Sequence, residues 1–225
     1  MEFRFNQKTF INKLAKLAET NDPINPDLYT KLDVKRGLRN ANGTGVLVGL
    51  TRIGDVVGYS IGPNKEKIPV TGNDQYCYEQ CVYLLLFGEL PTQKELNNFR
   101  ILLGQSRVLP PNFTEDMILK APSQDIMNKL ARGVLACYSY DDNPEDRSIS
   151  NILKQCIELI ARFSTLAAYG YQARRRYYEN ESLFIHNPLP EASTAENFLH
   201  LIRADGQYTK LEAEILDLAL ILHAE

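Results

Sequence analysis

Apolar residues recur at helical spacing along most of this chain. Phe10, Ile11, Leu14 and Leu17 form one stripe within a first stretch of 35 residues that reads as helical. Asn25 and Pro26 then read as an N-cap followed by proline at the first helical position. From Tyr76 onward nearly every segment is helical. The run "CYEQCVYLLLFG" ends at Gly88. Thr92 and Glu95 form a capping box for a helix that Gly104 stops. Asn112 is placed to cap "FTEDMILKA", and Ile126 to Tyr138 is amphipathic. Ile149 to Tyr178 is the longest predicted helix, with Ile152, Leu153, Cys156, Leu159, Ile160, Phe163 and Ala167 on one broad face. The run "ENESLFIHNPLPEAS" is a loop or extended crossing. Ser193 with Glu196 opens a short helix, and Thr209 with Glu212 opens the last one. In that last helix Leu211, Ile215, Leu218 and Leu222 are predicted to form the core stripe, widened by Leu216 and Leu220.

The texture changes between Gly37 and Gly72, where glycine is frequent and apolar runs are short and β-branched. Val46–Thr51 and Asp55–Ser60 read as short strands, with a turn near Asn64. The predicted fold class is therefore mainly α, with a small antiparallel β element near residues 45–60. Three parts follow: helices over 1–36, the β element over 37–72, and a helical region over 76–225. No internal repeat or low-complexity segment is visible.

The last helix begins well and has no stop. No glycine or asparagine cap, proline or terminal Lys or Arg follows Leu222, and Glu225 sits at the negative end of the helix dipole. The expectation is a chain that continues past this point in its natural form.

Composition narrows the function classes. The chain has 225 residues, 44% hydrophobic and 24% charged, as suits a soluble globular protein with a sizeable core. A net charge of −3 and a pI near 5.7 argue against a dedicated nucleic-acid binder. No apolar run is long enough to span a bilayer, and the opening residues carry no secretory signal. Four cysteines in a chain of this length are no disulfide framework, so a reducing cytoplasm is expected.

Candidate chemistry is sparse. "GTGVLVG" lacks the spacing and the lysine of a phosphate-binding loop and reads as turn glycines. Cys77 and Cys81 have a metal-compatible helical spacing, but no histidine lies near them and the surrounding leucines mark core. Arg174–Arg176 beside Tyr177 and Tyr178 read as a solvated helix end or subunit contact, given Glu179 and Glu181 alongside. The three histidines, His186, His200 and His223, complete no nucleophilic set with a serine or cysteine. The residues by themselves name no catalytic group, no metal ligand and no cofactor.

Six stretches resemble the citrate synthase family, in particular its bacterial citrate/2-methylcitrate synthase branch. They are "RGLRNANGTGVLVGLTRIGDVVGY", "YLLLFGELPT", "ACYSYDDNPED", "IELIARF", "HNPLPEASTAENFLHLIR" and "YTKLEAEILDLALILHAE", in family order. The resemblance implies the N-terminal part of the multihelical large domain, with the rest of that domain and the small domain absent. It implies an enzyme, an acyltransferase that condenses acetyl-CoA with oxaloacetate to citrate and CoA. An aspartate takes a methyl proton, a neutral histidine stabilises the enol, and arginines clamp the dicarboxylate. In the family "LHAE" runs into an oxaloacetate-binding histidine, and the other catalytic groups come later. The resemblance thus leaves no catalytic residue here, and only His223 as a residue at the pocket edge. It implies an inactive fragment without metal or cofactor, acetyl-CoA being a substrate of the whole enzyme. It also implies a homodimer or higher oligomer built on helices 124–138 and 148–178. One departure stands out: where the family carries a "YRG"-containing segment, Val70–Gly72 passes almost at once into Asn73–Gln80. Two alternatives remain open: a 2-methylcitrate synthase, and a non-catalytic helical interaction module that ends naturally at residue 225.

Overall fold

The structure, a computed structural model, describes residues 6–21, 26–31, 54–55, 59–60 and 78–223. In chain order the elements are α1 (Gln7–Asn21), α2 (Pro26–Lys31), β1 (Gly54–Asp55), β2 (Tyr59–Ser60), α3 (Tyr78–Phe87) and α4 (Gln93–Gln105). A π-helical turn (Thr114–Leu119), α5 (Ile126–Cys137), a 3₁₀ turn (Tyr138–Tyr140), α6 (Ile149–Tyr178), α7 (Thr194–Ile202) and α8 (Lys210–Leu222) follow.

The 30-residue α6 is the spine. Ser148 starts it by accepting the Asn151 N–H, and Arg175 and Arg176 suit the dipole at its far end. Its first half buries Leu153, Ile157 and Ala161 against Phe10 and Leu14 of α1, Val82, Tyr83 and Phe87 of α3, and Phe99 of α4. Tyr83, Phe87 and Phe99 meet edge to face, with ring centroids 4.5, 5.4 and 6.0 Å apart. Its second half buries Leu166, Tyr169 and Ala173 with Phe113, Ile118, Leu130 of α5 and Leu201 of α7. Lys129 is buried in this second core. Its ammonium donates to the carbonyls of Met117 and Ala121, and burial lowers its pKa.

The helical pattern holds in the described residues, and the capping boxes at Thr92, Ser193 and Thr209 all form. Several local expectations change. Val46–Thr51 lies outside the described residues. Asp55–Ser60 is not one strand: Asp55 pairs with Tyr59 and Gly54 with Ser60, so the two ends of the run face each other. This two-residue ladder is too short to form a packed layer, and the expected β element is not supported as one. Asn112 does not cap a helix with its side chain; it takes φ +60°, and the turn after it is π-helical.

Gly104 does not stop α4, which runs on to Gln105. Glycine is needed there for another reason. A Cβ at this position would lie 1.9 Å from the Pro190 carbonyl oxygen, so the crossing after α6 lies directly on the α4 backbone.

The broad apolar face of α6 divides within the chain. Leu153, Ile157 and Ala161 face inward, while Ile152 and Phe163 are exposed. In α8 the assignment is inverted. The buried positions are Ala213, Asp217 and Ile221, whereas Leu211, Ile215 and Leu222 are 65%, 58% and 60% exposed. Asp217 lies on this inner face and accepts a hydrogen bond from outside its own helix.

Candidate functional site

The N-terminal ends of α3 and α7 and the middle of α8 are joined by two buried carboxylates. The first N–H group of a helix has no partner within the helix and carries positive partial charge. The α3 end is served from α8: Asp217 Oδ2 accepts the Tyr78 N–H at 3.2 Å. The α7 end is served from α3 in addition to its own capping box: Glu79 Oε1 accepts the Thr194 N–H at 2.7 Å. Both carboxylates are buried, and Glu79 Oε2 has no hydrogen-bond partner. Burial pushes the Tyr78 phenol up to about 12, and Glu79, Cys81 and Asp217 push it the same way.

Arg107 lies beside this corner and is fully buried. Desolvation lowers its pKa, while the charges of Glu79 and Glu196 oppose that shift. Its Nη1 donates to the Leu189 carbonyl at 2.5 Å, and its own carbonyl accepts from Thr165 Oγ1 at 3.0 Å. Asn197 Oδ1 accepts the Leu189 N–H at 2.8 Å, and Asn197 Nδ2 donates to Ser164 Oγ at 3.3 Å. The crossing after α6 is therefore tied by polar bonds to Arg107 just beyond α4, to Asn197 of α7 and, through the Tyr169 hydroxyl donating to the His186 carbonyl, to α6.

The histidines divide into a pair and a single. His186 and His200 lie with ring centroids 5.1 Å apart. His186 Nε2 donates to the carbonyls of Arg203 and Ala204 at 2.9 and 3.1 Å, and His200 Nδ1 to that of Gly206 at 3.1 Å. Carbonyl acceptors require a proton on each of these nitrogens. Gly206 has φ +65°, and a Cβ there would lie 2.9 Å from His200 Nδ1. These two histidines brace the α7–α8 turn. His223 is the C-cap of α8, exposed, with Nδ1 donating to the Ala219 carbonyl at 2.7 Å.

Other candidates resolve plainly. Cys77 and the "GTGVLVG" segment lie outside the described residues, and Cys81 is buried with Leu84 and Ile221. Among the described residues no group of three or more His, Cys, Asp and Glu side chains could hold a metal. Arg174 pairs with Glu179, and Arg175 with Glu179 and Glu181, so this basic run is largely neutralised. No described helix is long and apolar enough to cross a membrane. The sequence reading missed Asp217 and Glu79. Its available signal was a carboxylate between Leu216 and Leu218, inside an otherwise apolar run.

The comparisons agree on one family. The family model described as citrate synthase, C-terminal domain, matches residues 44–225. The chain is 32% identical to the citrate synthase of Saccharolobus solfataricus over 148 residues, 66% of this chain and 37% of that protein. It is 28% identical to the citrate/2-methylcitrate synthase of Bacillus subtilis over 148 residues, 66% of this chain and 38% of that protein. The crystal structure of citrate synthase from Pyrobaculum aerophilum superposes with a TM-score of 0.63 at 24% identity, covering 85% of this chain and 50% of that one. The matches thus span between 37% and 50% of the length of these proteins. With a match that takes in most of its residues and a mainly helical fold of the same kind, the chain belongs to the citrate synthase family.

Proposed function

We propose that the enzyme to which this chain contributes condenses acetyl-CoA with oxaloacetate to give citrate and CoA. The observation that carries this reading is the family match over residues 44–225. On this reading the chain corresponds to the leading part of the large domain, and His223 lies at the edge of the dicarboxylate pocket. The family's acid/base pair and arginine clamp do not map onto these residues, so the chain alone is inactive. A continuous assay of CoA release from acetyl-CoA and oxaloacetate tests both statements. The isolated chain should read background, and the enzyme at the length of its relatives should turn over. Turnover by the isolated chain would overturn the first. No turnover by the longer enzyme would favour the non-catalytic helical module.

A second substrate has a specific basis, since the relatives include both citrate/2-methylcitrate and 2-methylcitrate synthases. Replacing acetyl-CoA by propionyl-CoA in the same assay separates the two activities by their ratio of kcat/KM. The reading requires no metal or cofactor and places the enzyme in the cytoplasm, where the free cysteines Cys81, Cys137 and Cys156 would stay reduced.

The same reading makes α5 and α6 a subunit interface. Met127 and Leu135 of α5 are 74% and 75% exposed, and Ile152 and Phe163 of α6 are exposed too. Exposed large apolar groups in such number on two packed helices support association with a second copy. Light scattering at micromolar concentration should give a dimer or higher oligomer; a stable monomer would refute the interface.

A further inference from the structure

Among the described residues the rotation of α8 about its own axis is not explained by apolar burial. Leu220 and Ile221 lie on or beside the inner face, Leu216 and Leu218 flank it on either side, and Leu211, Ile215 and Leu222 lie away from it. At about 100° per residue the exposed three, Leu211, Ile215 and Leu222, cluster roughly 140° round from the axis through Ala213, Asp217 and Ile221. Turning the helix by that amount would bury at least as much aliphatic surface and would return a carboxylate to water. Both changes favour the turned helix. Within these 225 residues, then, apolar burial alone does not select the observed rotation.

We propose that Asp217 is the positioning residue that selects the rotation of α8, through its bond to the N-terminus of α3. Only in the observed orientation does its Oδ2 reach the Tyr78 N–H, at 3.2 Å. That bond joins a buried carboxylate to a helix N-terminal donor, and losing one partner leaves the other without it. Glu79, on the next residue of α3, passes the constraint on to Thr194 of α7. Two buried carboxylates thus set three helices against one another: α8 on α3, and α3 on α7. The consequence for His223 follows from the helix geometry, because a turned α8 would point its C-cap elsewhere. The meaning of that direction for substrate rests on the family reading; the selection of the rotation does not.

Hydroxyl-radical footprinting of the full 225-residue chain, read residue by residue by mass spectrometry, tests this without substrate. In the wild type Leu211, Ile215 and Leu222 should oxidise several-fold faster than Ile221. In Asp217→Leu that difference should shrink or invert, while Leu14, Leu84 and Phe99 stay protected. Asp217→Asn, which keeps an acceptor oxygen for Tyr78, should retain the wild-type pattern. If Asp217→Leu fails to protect the core, Asp217→Ala decides by the same readout, since it removes the acceptor without adding bulk. A folded Leu or Ala variant with the wild-type pattern would overturn the proposal and leave packing around Ala213 as the determinant. So would a wild-type chain in which Ile221 and Ile215 react equally. No citrate formation by the enzyme at the length of its relatives, with an intact footprint on this chain, would sink the enzyme reading and leave this inference standing.

Discussion

The corner where α1, α3 and α4 meet the first half of α6 and the corner where α7 and α8 meet α3 are held in different ways. The first is a volume-filling core: Tyr83, Phe87 and Phe99 interlock edge to face, and Phe10, Leu14 and Leu153 close around them. The second contains few large buried apolar side chains. Its position is set by Asp217 on α3, Glu79 on α7, Arg107 on the crossing, and the His186–His200 pair on the α7–α8 turn. Apolar contacts stabilise without direction, whereas a buried hydrogen bond is worth most in one geometry. The first corner should tolerate changes of orientation but not of volume, and the second the reverse.

The largest break in that comparison is a cavity in the aromatic corner. Phe99→Ala should destabilise by about 3–5 kcal/mol in denaturant unfolding, whereas Phe99→Leu should recover much of it. A loss below about 1 kcal/mol would mean that this corner is not the densely packed one. Next comes Gly104→Ala, which forces a Cβ to within 1.9 Å of the Pro190 oxygen. It should cost about 1–3 kcal/mol. Faster amide exchange at Leu189 should report the displaced crossing, and unchanged exchange would show that the crossing gives way freely.

Glu79→Ala removes the acceptor of the Thr194 N–H and one of the charges beside Arg107. It should cost about 1–3 kcal/mol, with Glu79→Gln milder because one oxygen remains to accept. Equal losses for both variants would mean that charge, not the hydrogen bond, is what matters there.

The smallest effect is a pH dependence at the surface of the second corner. The Arg203 guanidinium, then Thr209, holds the Glu212 carboxyl down at about 2. A depressed carboxyl contributes stability that is fully present above its unfolded value of about 4.3 and is lost as pH falls through about 2. Glu212→Gln should therefore lower stability slightly at neutral pH and flatten its decline between those values. Added salt should shrink the difference, as it does for exposed pairs. A salt-independent loss would show that the backbone cap at Thr209 outweighs the ion pair.

By itself the sequence determined the long helices and the family. Helical spacing marks every long helix that the structure describes, and the boxes at Thr92, Ser193 and Thr209 open theirs at the expected residues, because a cap and a period are local properties of neighbouring residues. Only the tertiary structure decided which face of α8 turns inward, why Gly104 is glycine, and where His186 and His200 meet. Each depends on a partner far along the chain: Asp217 on Tyr78, Gly104 on Pro190, and the two imidazoles on the α7–α8 turn. An apolar count weighs Leu211 and Leu220 alike. A single buried carboxylate with one helix end in reach distinguishes them, because its bond exists in one rotation of the helix and not in the other.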